Sequence, residues 1–299
     1  MKKIKNIFKR IPYLVQINRQ RLKVQNSINQ QWSRLLRLIF NRICFDPTDI
    51  FLQFSPNSPG PYKERVALTI KTINNIFPFL GVLLQSTGRR AALPVDIKNF
   101  PKDQEDRQSS LTLKELFELY GSDKANPHNY YWLYGSILKD CQSISSVLEI
   151  GIGTANTDIV SHMGAQGSPW ASLRAFRDFL PHAEIYGADI DRRALFTEDR
   201  IKTFFVDQTD LASFKNINTF LPGELDLIID DGLHSPDANI NTLNFALTKV
   251  KTGGWVVIED IRCEATPVWT VVSCILPEKF ECHLLEADRG FIFAVQRKR

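Results

Sequence analysis

SSVLEIGIG, residues 145–153, is the stretch that decides the fold. Its apolar residues run without alternation and stop in glycines, the composition of a strand buried on both faces of a parallel sheet. Similar units follow it. ASLRAFRDFL (171–180) has helical spacing and AEIYGADI (183–190) reads as a second strand. KTFFVDQ (202–208), ELDLIIDDG (224–232) and GGWVVIED (253–260) read as three more, with a helix over NINTLNFALTKV (239–250) before the last. Strands alternating with helices predict an α/β, Rossmann-like parallel sheet covered on both faces. The end differs: KFECHLLEADRGFIFAVQRKR (279–299) reads as two strands around the turn ADRG, a terminal antiparallel hairpin.

Upstream, LTLKELFELYG (111–121) reads as a helix closed by Gly121. The polar, Pro-containing FPKDQEDRQSS (100–110) reads as a linker. Two parts are therefore expected: a basic, helical N-terminal accessory segment over 1–110 and a sheet domain over 111–299. Residues 1–50 carry eleven Lys/Arg against two Asp, a net of +9 that leaves −5 for the rest of a chain whose total is +4. Bulk charge thus argues against a nucleic-acid surface on the sheet domain. RLKVQNSINQQWSRLLRLIFNRI (21–43) has helical spacing, with Trp32, Leu35, Leu36 and Ile39 opposite basic residues. Such a helix packs on the main domain or on a second subunit, or lies on an anionic membrane surface. The longest uninterrupted apolar run, IFPFLGVLL (76–84), is nine residues and contains Pro78, short of the roughly 20 of a spanning helix. Five cysteines without a C-x-x-C spacing fit reduced thiols, and a cytoplasmic location is expected.

Ligands bind parallel sheets outside the carboxyl ends of the strands. The first strand closes with Glu149-Ile150-Gly151-Ile152-Gly153, whose glycines let a ligand approach the backbone. Asp189 closes the second, placed to accept hydrogen bonds from ribose hydroxyls. Asp207-Gln208 closes the third, placed for an adenine edge. A dinucleotide site wants a third small residue and an acid about 20 residues on. Here the third position is Asn156, and Asp189 lies 36 residues after Gly153. That disfavours an NAD-dependent oxidoreductase or epimerase and favours S-adenosylmethionine (SAM), which has no pyrophosphate to seat.

Two acidic pairs, Asp230-Asp231 and Glu259-Asp260, end neighbouring strands, with His234 close behind the first. Left bare, such carboxylates repel one another, and a hard divalent cation such as Mg²⁺ relieves that. Ser235, Pro236 and Asp237 read as a helix start, whose partial positive charge favours a neutral imidazole at His234.

The pieces YGSDK (120–124), VLEIGIGT (147–154), ASLRAFRDFLPHAEIYGADID (171–191), VDQTD (206–210), IIDDGLH (228–234) and KTGGWVVIED (251–260) together carry a resemblance. Residues 111–296 resemble class I SAM-dependent methyltransferases, and more narrowly the metal-dependent O-methyltransferases of macrolide-type deoxysugars. The resemblance implies Asp231, Glu259 and Asp260 as metal ligands, His234 as general base, and Asp230 facing the cofactor's amino acid end or orienting the others. It implies Mg²⁺-assisted methyl transfer from SAM to a hydroxyl of a small molecule, a sugar above all. Lys124, His128 and Tyr130 are expected to line the cofactor or acceptor pocket. Peripheral membrane contact through the basic N-terminus and a homo-oligomer are further expectations. A non-catalytic Rossmann-like scaffold is the remaining alternative, disfavoured by the intact acids.

Overall fold

The computed structural model describes residues 47–164 and 167–299. The helix expected over 21–43 lies outside the described residues. The chain divides into two compact units, residues 1–76 and 77–299. In the first, a helical turn Pro47–Ile50 leads into α1 (Tyr62–Ser86), which runs across the boundary. Ser55 and Thr69 exchange a hydroxyl hydrogen bond of 3.1 Å there.

The second unit holds the sheet. Its strands are β1 (Pro94–Asp96), β2 (Ser146–Ile150), β3 (Glu184–Asp189), β4 (Thr197–Glu198), β5 (Ile201–Phe205), β6 (Leu225–Asp230), β7 (Val250–Ile261), β8 (Phe280–Glu286) and β9 (Phe291–Arg297). Its helices are α2 (Gln104–Tyr120), α3 (Tyr131–Ile137), α4 (Ala171–Phe179), α5 (Leu211–Ile217), α6 (Pro236–Lys249) and α7 (Thr266–Ile275). The strands form one sheet in the order β1-β8-β9-β7-β6-β2-β3-β5-β4. The pairs β3–β2, β2–β6 and β6–β7 are parallel, while β9 runs antiparallel to both β7 and β8, as the terminal hairpin predicts.

Successive strand residues point to opposite faces, and the core divides accordingly. Val147, Leu227, Ile229 and Val257 pack with Leu113, Phe117, Tyr134, Leu173 and Phe176 from α2, α3 and α4. Leu148, Ile228, Val256 and Ile258 pack with Phe214, Leu243, Trp269 and Val272 from α5, α6 and α7. Each such fully buried aliphatic side chain contributes about 1.5–3 kcal/mol. That is why the central strands read as unbroken apolar runs.

Three expectations need correction. The polar stretch 100–110 is no linker: α2 begins at Gln104, and Asp103 caps it by accepting from the Asp106 amide at 2.8 Å. Its polarity is that of a capped, water-facing first turn. The boundary at 110 also fails, because β1 pairs in parallel with β8, Val95 level with Leu285. A three-residue edge strand is too short to show a period in sequence. Finally, α1 is long and apolar enough to cross a membrane by length and composition. An uninterrupted-run criterion misses it because Lys71, Asn74 and Asn75 break the pattern without ending the helix.

Candidate active site

The chemistry gathers where β2, β3, β6 and β7 end. β6 and β7 are parallel neighbours, with Asp230 level with Ile258. Between Ile258 and Ile261 the register of β7 with β9 shifts, so Glu259 and Asp260 lie in an irregularity of the kind that re-aims side chains. Asp260 takes a left-handed backbone with φ 53°, and His234, in the loop after β6, one with φ 55°. For residues with a Cβ such conformations cost of order 1 kcal/mol or more and persist only where the surroundings impose them.

Asp231, His234 and Asp260 each turn one ligand-capable atom inward, and the three atoms lie within 4.8 Å of one another. His234 Nε2 stands 3.7 Å from Asp260 Oδ2 and 4.0 Å from Asp231 Oδ1. Its Nδ1 is buried with no hydrogen-bond partner among the described residues. The opposite oxygens of the two aspartates are held from behind. Asp260 Oδ1 accepts from the Tyr130 hydroxyl and lies 3.2 Å from His128 Nδ1. Asp231 Oδ2 is 2.7 Å from the ammonium of Lys124.

Lys124 is 1% exposed. Besides Asp231 its ammonium meets Glu259 Oε2 at 2.5 Å and Glu149 Oε1 at 3.1 Å. The other oxygen of Glu259 accepts from the Tyr134 hydroxyl, and that of Glu149 from Ser172 Oγ at 2.7 Å. Burial works against the charge on Lys124, yet Asp231, Glu259 and Glu149 hold its ammonium well above the ordinary lysine value. Burial pushes the Asp231 carboxyl up to about 6, with Asp260 adding to the push and Lys124 and His234 opposing it. Burial also raises Glu259 well above the usual carboxylate range, against the pull of Lys124. Asp260 moves the other way. Burial pushes it up, but the His128 hydrogen bond and charge and the Tyr130 hydroxyl draw it well below.

The donor set fits a hard divalent cation. Asp231 Oδ1 and Asp260 Oδ2 point to one place, and neither accepts a hydrogen bond from a described residue. Carboxylate oxygens with room for water are what Mg²⁺ prefers. Glu259, the third expected ligand, is buried behind this trio, with Lys124 and Tyr134 meeting its two oxygens.

Two cavities, of 660 and 280 Å³, lie along this rim and share Gly151, Ser161 and Asp189. The smaller runs between Ile190, Val206, Asp207, Gln208 and Leu233. The larger extends past Gly153 and Trp170 to Lys124, Asp231, His234 and Asp260, with Arg289 of the β8–β9 turn also on its wall. Gly151 has φ 91°, and a Cβ there would collide with the carbonyl of Asp231. Asp189 accepts from the amides of Ile152 (3.1 Å) and Asp191 (2.8 Å), while burial raises its carboxyl against those hydrogen bonds.

The sequence reading thus brings Gly151, Gly153, Asp189, Asp207 and Gln208 to the cavities, and Asp231, His234 and Asp260 together. Two expected cofactor contacts do not reach them. Glu149 lines neither cavity and is spent on Lys124 and Ser172. Asp230 is wholly buried, accepting from Gln208 Nε2 at 2.7 Å and Asn239 Nδ2 at 3.1 Å. Of its two expected roles, orienting neighbours fits. Gln208 is itself braced, since its Oε1 accepts from the Leu233 amide at 2.8 Å. Ser235 heads α6, but its hydroxyl bonds the Asp237 carboxylate instead of capping a backbone amide. Lys124 does line the larger cavity, whereas His128 and Tyr130 act through Asp260. Sequence reasoning missed Tyr134 and Ser172, which signal nothing in sequence because each lies on an ordinary apolar helix face.

No protein-family model matches the chain. Over 151 residues it is 28% identical to the 8-demethyl-8-alpha-L-rhamnosyl tetracenomycin-C 2'-O-methyltransferase of Streptomyces olivaceus, covering 50% of this chain and 38% of that protein. Over 118 residues it is 38% identical to the mycinamicin VI 2''-O-methyltransferase of Micromonospora griseorubida, covering 38% of this chain and 27% of the relative. The matched stretches thus span well under half the length of these relatives. Among solved structures it is similar to the MycE methyltransferase of the mycinamycin pathway in complex with Mg, SAH and mycinamycin VI. The TM-score is 0.52 at 23% identity, over 63% of this chain and 55% of that one. The sheet-bearing part of the chain therefore has the class I methyltransferase fold, and its sequence resembles that of sugar O-methyltransferases.

Proposed function

We propose that this protein transfers a methyl group from SAM to a hydroxyl of a sugar or glycosylated small molecule, with a divalent cation held at Asp231 and Asp260 and His234 as the base. The observation that carries this is the convergence of two uncommitted carboxylate oxygens and an imidazole nitrogen beside cavities that meet at Asp189. The smaller cavity suits an adenine, Asp189 the ribose, and the glycines around it the amino acid portion. The larger cavity then takes the acceptor. A bound cation would supply Lewis acidity that makes a sugar hydroxyl a better acid and fixes its position.

The residues divide the remaining work. The acceptor oxygen forms its bond to the methyl carbon while the carbon–sulfur bond breaks and its electron pair stays on sulfur. The hydroxyl proton goes to His234 Nε2, which therefore has to start unprotonated. Holding oxygen and methyl in contact contributes on the order of 7–11 kcal/mol to such a displacement. Asp230, Gln208 and Asn239 keep the loop carrying Asp231 and His234 in place. The deciding experiment mixes the purified protein, labelled SAM and Mg²⁺ with a panel of glycosides. Transfer that EDTA abolishes supports the proposal, and transfer indifferent to EDTA removes the cation from it.

Contact with an anionic bilayer is a second part of the proposal. Phe79, Val82 and Leu83 on α1 are 65%, 66% and 58% exposed, and the chain ahead of α1 carries the excess of Lys/Arg that anionic headgroups attract. Sedimentation with phosphatidylserine vesicles but not with neutral ones is the expected result. Equal recovery on both removes it.

A further inference from the structure

We infer that Met163 competes with the amino acid end of SAM for the open face of Gly153 and so acts as a movable plug that sets cofactor affinity. This rests on the proposed seating of SAM along Gly151, Gly153 and Asp189. It names a positioning residue that the chemistry of methyl transfer does not require.

Gly153 has a left-handed backbone, φ 81°. A glycine there leaves the side where a Cβ would stand open to close approach. In this protein a side chain makes that approach. A Cβ at Gly153 would collide with Met163 Sδ, and one at Gly167 would collide with Met163 Cβ. The thioether thus lies across Gly153 with its stem against Gly167, on the wall of the larger cavity that these residues share. The place proposed for the amino acid end and the place of this side chain coincide. One must leave when the other enters.

The backbone that carries Met163 is tied down, while its side chain is not. The Met163 amide donates to Thr154 O at 2.9 Å. Thr154 Oγ1 and Asn156 Nδ2 donate to Asp191 Oδ2 at 2.7 and 2.6 Å, and Arg193 bridges Asp158 to Asp191. The loop after β2 is therefore moored to the loop after β3. The Met163 side chain only packs, with no hydrogen bond among the described residues. Methionine is unbranched, with three rotatable bonds, and moves between staggered rotamers at little cost. Displacement therefore needs a side-chain rotation and leaves the moored loop in place. A β-branched residue at this position would turn aside less readily.

The test follows Met163 directly. Met1 and Met163 are the two methionines of the sequence, so labelling methionine with ¹³C at its methyl group leaves one internal signal, identified by its loss in Met163→Ala. The full chain is titrated with S-adenosylhomocysteine and with 5′-methylthioadenosine, which carries the nucleoside without the amino acid carbons. The Met163 signal is expected to shift with the first and to stay with the second. By calorimetry, Met163→Ala is expected to bind S-adenosylhomocysteine roughly three- to tenfold tighter, because a seat open only part of the time weakens apparent affinity by that fraction. Met163→Leu keeps the bulk and is expected to match the wild type. An unmoved signal at saturating S-adenosylhomocysteine, or unchanged or weaker binding in Met163→Ala, overturns the inference. So does equal tightening for methylthioadenosine, or tightening in Met163→Leu as large as in Met163→Ala. If wild type and Met163→Ala both bind neither nucleoside, the proposed cofactor seat itself falls. If S-adenosylhomocysteine binds and the signal stays, only the role of Met163 falls.

Discussion

β6 and β7 end in the same way, with two acids in a row, and the structure treats both pairs alike. At the end of β6, Asp230 is buried among Gln208 and Asn239 while Asp231 turns to the cavity. At the end of β7, Glu259 is buried against Lys124 and Tyr134 while Asp260 turns to the cavity. The period of two along a strand puts neighbouring side chains on opposite sides, so an acid pair at a strand end yields one brace and one working group. The two ends differ in how the brace is satisfied. Asp230 has neutral amide donors, whereas Glu259 has a charged one. The first arrangement holds a loop, and the second also sets the charge of the site.

The comparison can be broken most severely at the working groups. Asp260→Asn is expected to lower kcat on the order of 10³-fold and to abolish Mn²⁺ binding, with the circular dichroism spectrum unchanged. His234→Gln is expected to lower kcat on the order of 10²-fold with SAM affinity intact. Full turnover in that variant would end its role as base. A brace is expected to fail differently. Asp230→Ala strands the donors of Gln208 and Asn239 and costs about 1–3 kcal/mol of stability, read as a lower Tm. A normal Tm there would show that the brace is idle.

Acidity sharpens the comparison more gently. With the Asp231 carboxyl raised to about 6 by burial, its proton has to leave before the oxygen can serve a cation. Cation affinity is therefore expected to rise as pH passes upward through about 6 and to fall below it, with proton release on binding measurable by calorimetry in two buffers. An affinity flat from pH 5 to 7 would remove Asp231 from the ligand set. The smallest effect belongs to Tyr130→Phe, which takes one hydrogen bond from Asp260. A loss of about 1 kcal/mol or less is expected, a few-fold change in metal affinity.

Much of this was legible in sequence, and the reasons are local. The central strands announced themselves because burial on both faces forbids alternation, and Gly151 and Gly153 marked the first strand's end. Asp231, His234 and Asp260 were legible because charged groups at the mouth of an apolar strand need an explanation. What stayed hidden depended on partners far away along the chain. Nothing in EIG says that Glu149 belongs to Lys124, and nothing in IED says that the first acid points in and the second out. That choice follows from which face of β7 each residue takes: Glu259 shares the face of Val257, which packs on the side of Tyr134. β1 was hidden because three residues carry no period, and α1 because polar residues interrupt it.

Gly151 has a consequence for anyone redesigning this protein. Its missing side chain lets the loop after β2 lie against the carbonyl of Asp231, whose amide also donates to Ile150 O at 2.8 Å, so the proposed cofactor seat and ion seat meet through backbone. A mutational library that varies the two halves separately would meet its strongest epistasis at that contact. Alanine at 151 should injure both affinities at once, as if a single hinge pin had been bent.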